Sequence, residues 1–312
     1  MKLVSSYMGY LIACAALFSV LQSPARAQDD VVVLLPKLEV GQHALYDTTM
    51  HTRIKQSAAQ IPGGAIAQTV DRTARIQFEV VNRTNEIATV TATYERISMN
   101  VDDPFPGLVY EFDSSKDQDA ADENEGVDSD LATVLRPIVG MTITLKVTLT
   151  GEIQDVVVPP DSRPVGPMGG VALPFVEGKY IKSELAPIFS LGAGPARHTR
   201  GSRWDHEESN PLDMGVVLNR RTSFLVTTVG KSQVKTTLNG SMGLDVLPTS
   251  QLARAEVESS SISGTASWNH TQGWLQSLTL KETLNLVAEQ VPGQSIRLES
   301  ASEQTITRAD GQ

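Results

Sequence analysis

The sequence predicts an all-β protein with a minor α part. Curved antiparallel sheets, in two pseudo-repeated halves forming a half-barrel or sandwich, are accompanied by one or two short helices. Three observations carry this. Apolar and polar residues alternate with period two through most long segments, turn residues separate those segments, and helical spacing occurs in only two short stretches. Period two places alternate side chains on opposite faces of a strand, so one face is buried and the other wet.

The chain opens with Lys2, an apolar run of about 14 residues from Met8 to Leu21, and Ala25-Arg26-Ala27 ahead of Gln28. This is the grammar of a secretory signal over residues 1–27, cleaved after Ala27. The run is shorter than the roughly 20 residues a bilayer-spanning helix needs. Leu11-Ile12-Ala13-Cys14 offers a competing reading as a lipoprotein box, with Cys14 the lipidated residue. Against it, the chain stays apolar for the seven residues after Cys14. An exported, periplasmic or extracellular chain follows, with anchoring through Cys14 as the alternative and no transmembrane span in the mature part.

The first clear strand runs from Ala65 to Val81. Ile66, Val70, Ala74, Ile76, Phe78 and Val80 share even parity, while Thr69, Asp71, Thr73, Arg75, Gln77 and Glu79 fill the odd positions. Met141, Ile143, Leu145, Val147 and Leu149 alternate with Thr142, Thr144, Lys146 and Thr148. Thr150-Gly151 interrupts that pattern before Ile153 to Val158 returns, which predicts a hairpin. Near the C-terminus Trp274, Leu278, Leu280, Leu284 and Leu286 share one parity. Val291-Pro292-Gly293-Gln294 then places Pro and Gly as a type II turn requires, and Ser295 to Thr307 closes the sheet.

Helical spacing appears from Asp128 to Pro137, through Leu131, Val134, Leu135 and Ile138. It appears again from Val176 to Leu191, where Pro187 weakens the pattern and Gly192 is the expected stop. Pro159 to Pro174 holds five prolines and three glycines, a composition that suits a linker. The expected organisation is thus a signal at 1–27, an N-terminal β half at 28–158, a linker with short helix at 159–196, and a C-terminal β half at 197–312. Each half opens on a strand with a large aromatic, Tyr46 or Trp204, continues into an alternating strand and ends in a hairpin. That shared grammar suggests an internal duplication.

Composition excludes several classes. Cys14 is the one cysteine, so a cleaved chain has no disulfide and no thiolate site. The formal charge of −10 becomes −12 once Lys2 and Arg26 are removed with the signal. Such a surface repels phosphate backbones, which argues against nucleic acid as a partner. Aromatic residues are only 5%, too few to pave a sugar-binding groove.

Candidate chemistry is sparse. The acidic stretch Asp113 to Asp130 supplies weak calcium candidates, Asp117, Asp119 and Asp122, but an EF-hand loop starting at Asp117 fails at Ala121 and at Asp122, where glycine is needed. A solvated loop explains it as well. His43 and His51 stand eight residues apart, roughly 26 Å along a strand, and cannot share an ion. His198 and His206 lie among Arg197, Arg200 and Arg203, a set able to hold an anion or simply to lead a polar loop into a strand. Ser232-Gln233-Val234-Lys235 matches the Ser-x-x-Lys pair of penicillin-recognising enzymes, but on a strand the two side chains point to opposite faces. Asn82, Asn239 and Asn269 begin glycosylation patterns that turn chemistry explains equally well. No catalytic residues and no cofactor are predicted.

Val109-Tyr110-Glu111-Phe112-Asp113-Ser114-Ser115, the short helix to Val139-Gly140 and the strand to Thr150-Gly151-Glu152-Ile153-Gln154-Asp155-Val156 together resemble a family of exported proteins of unknown function from planctomycete-type bacteria. Gly201-Ser202-Arg203-Trp204 and Gly273-Trp274-Leu275 are similar to that family's second half. The resemblance implies an envelope location and a β-rich fold, and carries over no catalytic residue. The functions the sequence leaves open are three. The first is a non-catalytic envelope protein binding an apolar ligand or lipid on a concave sheet face, the second an interaction module using its strand edges, and the third a hydrolase built on paired carboxylates.

Overall fold

A computed structural model describes residues 31–59, 61, 63–103, 108–116, 130–160, 175–192, 197–212, 215–291 and 293–310. Residues 1–27, with Cys14 and the proposed cleavage site, lie outside them. So do Asp117, Asp119, Asp122 and residues 161–174.

Fourteen strands and two helices are present among the described residues. In chain order they are β1 (Val32–Val33), β2 (His43–Ala58), β3 (Ala65–Arg83), β4 (Ile87–Asp103), β5 (Leu108–Asp113), α1 (Asp130–Leu135), β6 (Thr142–Thr148), β7 (Ile153–Val157), α2 (Gly178–Phe189), β8 (Arg197–His198), β9 (Arg203–Leu212), β10 (Val216–Val229), β11 (Gln233–Val246), β12 (Arg254–Asn269), β13 (Trp274–Val291) and β14 (Gln294–Arg308). A 3-10 turn, Arg136–Ile138, extends α1. No helix among the described residues is long and apolar enough to cross a membrane.

Twelve strands form one antiparallel sheet in the order β7-β6-β4-β3-β2-β14-β13-β12-β11-β10-β9, with β5 paired to β4; β1 and β8 make a separate ribbon. The sheet is open rather than closed into a barrel. Strands from both sides of the Pro/Gly-rich stretch join in it, because the last strand, β14, pairs with β2 from Arg308↔Tyr46 to Ile296↔Ala58.

Alternation sorts the two faces. One continuous register row on the inner face links Met99, Arg72, Met50, Gln304, Leu280, Gly264, Leu238, Phe224 and Trp204 across nine strands. The outer face carries the intervening polar residues. Bulges adjust the register where the sheet bends: one between Ser267 and Trp268 lets both Trp274 and Leu275 be buried, although they are neighbours in sequence.

The core fills one end of the inner face. α2 lies over it: Phe189 meets Phe78 and Trp274, each at 5.7 Å between ring centroids, and Phe175, just before α2, meets Tyr94 at 5.5 Å. Pro187 sits inside the last turn of α2, which ends at Phe189, short of Gly192. The segment around Leu34 and Leu38 straps the same end, with the Lys37 backbone N–H donating to Gly273 O and Arg83 donating to Leu38 O. Gly151, at φ 89°, lets the β6–β7 turn close on the end of α2, since a Cβ there would stand 2.1 Å from Phe189 O.

A candidate ligand-binding face

Beyond the rows that α2 covers, the inner face continues toward the β2–β3 and β13–β14 hairpins. Two further rows follow: Ile54 stands beside Ser300 and Leu284, and Ile66, Gln56, Leu298 and Leu286 line up across four strands. Ile296 and Ala288 complete the strip. These apolar residues are half-buried and stand outside the contiguous core. From Leu280, the last fully buried position on β13, to Ala288 is eight residues, about 27 Å of strand.

Polar groups lie between core and strip. Arg72 of β3 and Glu184 of α2 form an ion pair at 2.8 Å with side chains only 6% and 10% exposed. The Arg72 guanidinium also lies 4.9 Å from the Phe175 ring centroid. Thr52 and Ser302 face each other at 3.3 Å. Arg220 of β10 pairs with Glu282 of β13, about three-quarters buried. Two strands, β11 and β12, separate these partners, a span of roughly 14 Å on a flat sheet, so their contact records a tightly concave inner face. Gly240 permits close approach there, because a Cβ would meet Arg221 O at 2.1 Å. Nε of Arg220 has no hydrogen-bond partner among the described residues.

The β11–β12 ladder ends at Gly240↔Ile262. Past it, β11 pairs only with β10, and the Ser260 hydroxyl takes over as the last rung, accepting from Met242 N and donating to Met242 O, both at 2.8 Å. A slot between two strands therefore opens at the same end as the apolar strip.

The outer face has the opposite character. Asp47–Arg75, His51–Asp71, Lys55–Glu299, Lys281–Glu303 and Asp205–Arg221 pair across neighbouring strands at 2.5 to 3.1 Å, with side chains roughly half exposed. Exposed pairs of this kind add little to stability, because water and salt screen them. Collectively they keep that face in water. A shallow depression of about 220 Å³ there is lined by His51, Asp71 and Glu303.

The residues singled out from sequence fall elsewhere. His43 and His51 stand at the start and middle of β2, and His51 pairs with Asp71. His198 is buried against Trp204, 4.4 Å between ring centroids, and His206 is half-buried on the inner face of β9. Ser232 lies in a turn and Lys235 on the exposed side of β11, so they do not face each other. Asn269 caps its turn by accepting from Thr271 N and Gln272 N. At the start of the acidic stretch, burial raises the Asp113 carboxyl pKa, but hydrogen bonds from Ser115 and the charge of Arg96 outweigh it and hold the group below the usual range. Burial drives the phenol pKa values of Tyr46 and Tyr94 well above their ordinary range; the Tyr46 hydroxyl donates to Leu275 O at 2.7 Å.

Sequence reasoning passed over Arg72, Glu184, Arg220 and Glu282. For two of them a signal existed: Arg72 occupies an even position between Val70 and Ala74, and Glu282 sits between Leu280 and Leu284, each a charge where the pattern expects an apolar residue.

No family model matches the chain, and no curated protein does. Among solved structures it superposes on lipovitellin, from a study of lipid–protein interactions, with TM-score 0.46 and 11% identity over 88% of this chain. The chain spans a quarter of that lipovitellin chain. DynF from the dynemicin pathway of Micromonospora chersina gives TM-score 0.22 at 9% identity, covering 90% of this chain and 86% of the other. An outer membrane channel of Pseudomonas putida F1 gives 0.20 at 8%, covering 88% and 97%. Superpositions this loose carry no argument about fold or function.

Proposed function

We propose that this is an exported, non-catalytic carrier that holds the acyl chain of an amphiphile against the inner face of its sheet. The observation that carries the proposal is the apolar strip formed by Ile54, Ile66, Leu284, Leu286, Leu298 and Ile296, which continues the core yet stays open to water. A soluble fold gains about 25 cal/mol per Å² by covering such surface, and an acyl chain supplies the cover without demanding hydrogen bonds. Lengths agree: one bilayer leaflet holds chains of about 15 Å, within the roughly 27 Å of strand available. Export rests on the signal-like residues 1–27, with lipidation at Cys14 as the alternative route.

The edges offer less. β9, the free edge at one end of the sheet, carries Asp205, Glu207, Glu208 and Pro211, residue types that discourage strand addition.

The test is lipid extraction and native mass spectrometry of the purified mature chain, with titration of a fluorescent fatty acid. A co-purifying amphiphile is expected, and Leu286→Arg with Leu298→Arg weakens the fluorescent probe at least about tenfold by placing charges under the chain. A protein that carries no lipid and ignores the probe, or a double variant that binds it unchanged, overturns the proposal.

A further inference from the structure

Between the buried core and the apolar strip, the inner face carries hydrogen-bonding groups. One register row holds Thr52, Ser302, Glu282, Thr222 and His206, on β2, β14, β13, β10 and β9. The strip begins one row further out with Ile54 and Leu284, and ends at the row of Ala288 and Ile296. From Glu282 to Ala288 is six residues, about 20 Å of strand. That length takes one acyl chain of about 15 Å together with a small polar head, provided the head lies at the row of Glu282. In the reverse pose the terminal methyl abuts Thr52, Ser302 and Glu282 and displaces their water with no hydrogen bond in return.

The charges near this row restrict the head. Arg220 of β10 lies between Glu282, its ion-pair partner, and Glu208, its register neighbour on β9, which is half-buried. Arg72, one row inward on β3, is held by Glu184. Two guanidiniums thus face three carboxylates, and neither the row of Glu282 nor that of Arg220 offers an uncommitted arginine or lysine. An anionic head would add a fourth negative charge to a poorly hydrated surface. A cationic head would stand beside Arg220. A hydroxyl meets neither obstacle, because it donates to Glu282 and accepts from Ser302 or Thr52, whose own hydroxyls lie 3.3 Å apart.

We propose that the ligand's head is uncharged and hydroxyl-bearing, as in a monoacylglycerol, and that it sits against Ser302 and Glu282 with its acyl chain running outward along Leu284, Leu286 and Ala288. This rests on the carrier reading above and extends it to the class of head group and the direction of the chain.

The test is titration of the mature chain, at about pH 8, with three fluorescent probes that share one polyene chain: the free acid, its glycerol monoester and the amine. The ester binds at least about tenfold more tightly than the acid or the amine, the worth of one well-made hydrogen bond against an unmatched charge. Glu282→Gln leaves Arg220 short of a counter-charge and raises the acid at least about tenfold relative to the ester. Arg220→Gln leaves the carboxylates in excess and raises the amine instead, so the ranking is read even if one of the two variants fails to fold. Direction has its own readout. Residues 28–312 hold no cysteine, so Ala288→Cys carries a single nitroxide, which quenches a fluorophore at the chain terminus more than one next to the head. Acid or amine binding wild type as tightly as the ester, a folded variant that keeps the wild-type ranking, or stronger quenching next to the head overturns this inference and leaves the carrier standing. Failure of all three probes to bind refutes the carrier, and this inference with it.

Discussion

Glu184→Gln tests how α2 is held on the sheet. The carboxylate it removes is the partner of Arg72, whose side chain is 6% exposed and sits between Glu184 at 2.8 Å, the Met50 sulfur at 3.5 Å and the Phe175 ring at 4.9 Å. The amide keeps the shape and leaves the guanidinium in place, so the change isolates charge compensation. Breaking one side of a buried pair costs about 3–5 kcal/mol, because the surviving charge loses its partner without regaining water. For a chain this large each kcal/mol shifts the melting temperature by about 2–4 °C, which makes a drop of roughly 10 °C the expected result. Replacing both partners, Arg72→Met with Glu184→Leu, removes the charges together and should leave stability within about 2 kcal/mol of wild type. Urea unfolding followed by far-ultraviolet circular dichroism, run as a double-mutant cycle, gives the coupling directly. A Glu184→Gln cost below about 1 kcal/mol, or a double variant as unstable as the sum of the two singles, refutes the reasoning.

Gly151→Ala combines a positive φ of 89° with a Cβ 2.1 Å from Phe189 O, whereas Gly293→Ala meets the same φ problem, at 83°, with nothing within 4 Å. Gly293→Ala should cost about 1–2 kcal/mol and Gly151→Ala several more, by urea midpoint; equal costs would show that the end of α2 does not press on the β6–β7 turn. Burial raises the phenol pKa values of Tyr46 and Tyr94, so their contribution to stability is complete below pH about 10, where the unfolded phenols stay protonated, and is lost as pH climbs beyond it. Near pH 12 the loss amounts to roughly 2–3 kcal/mol per tyrosine, and Tyr94→Phe should flatten the alkaline limb; an unchanged slope contradicts burial of that phenol.

Much of the strand content was legible because period two is a local signal. Thr142–Thr148 and Ala65–Arg83 appear where alternation places them, and Gly293 takes the positive φ that the third position of a type II turn demands. Pro187 weakens the helical pattern in the sequence without ending the helix. It lies inside α2, whose buried residues Ile181, Leu185, Ile188 and Phe189 hold the last turn in place. Trp274 and Leu275 escape simple parity because an extra residue on β13 shifts the register, something no pattern on a single strand announces.

Which side chains face apolar surroundings follows from the order of residues alone, because each backbone step reverses the face of a strand. That is why the wet outer face and the buried inner face can both be found by reading. What β14 pairs with, how far the sheet bends and which part of the inner face α2 covers depend on partners tens to hundreds of residues apart. Tyr46 and Arg308 stand opposite each other, and Arg220 reaches Glu282 across two strands, only because non-local pairing and twist bring them there. Alternation supplies an apolar face, and α2 covers only one end of it, leaving the remainder of that face uncovered.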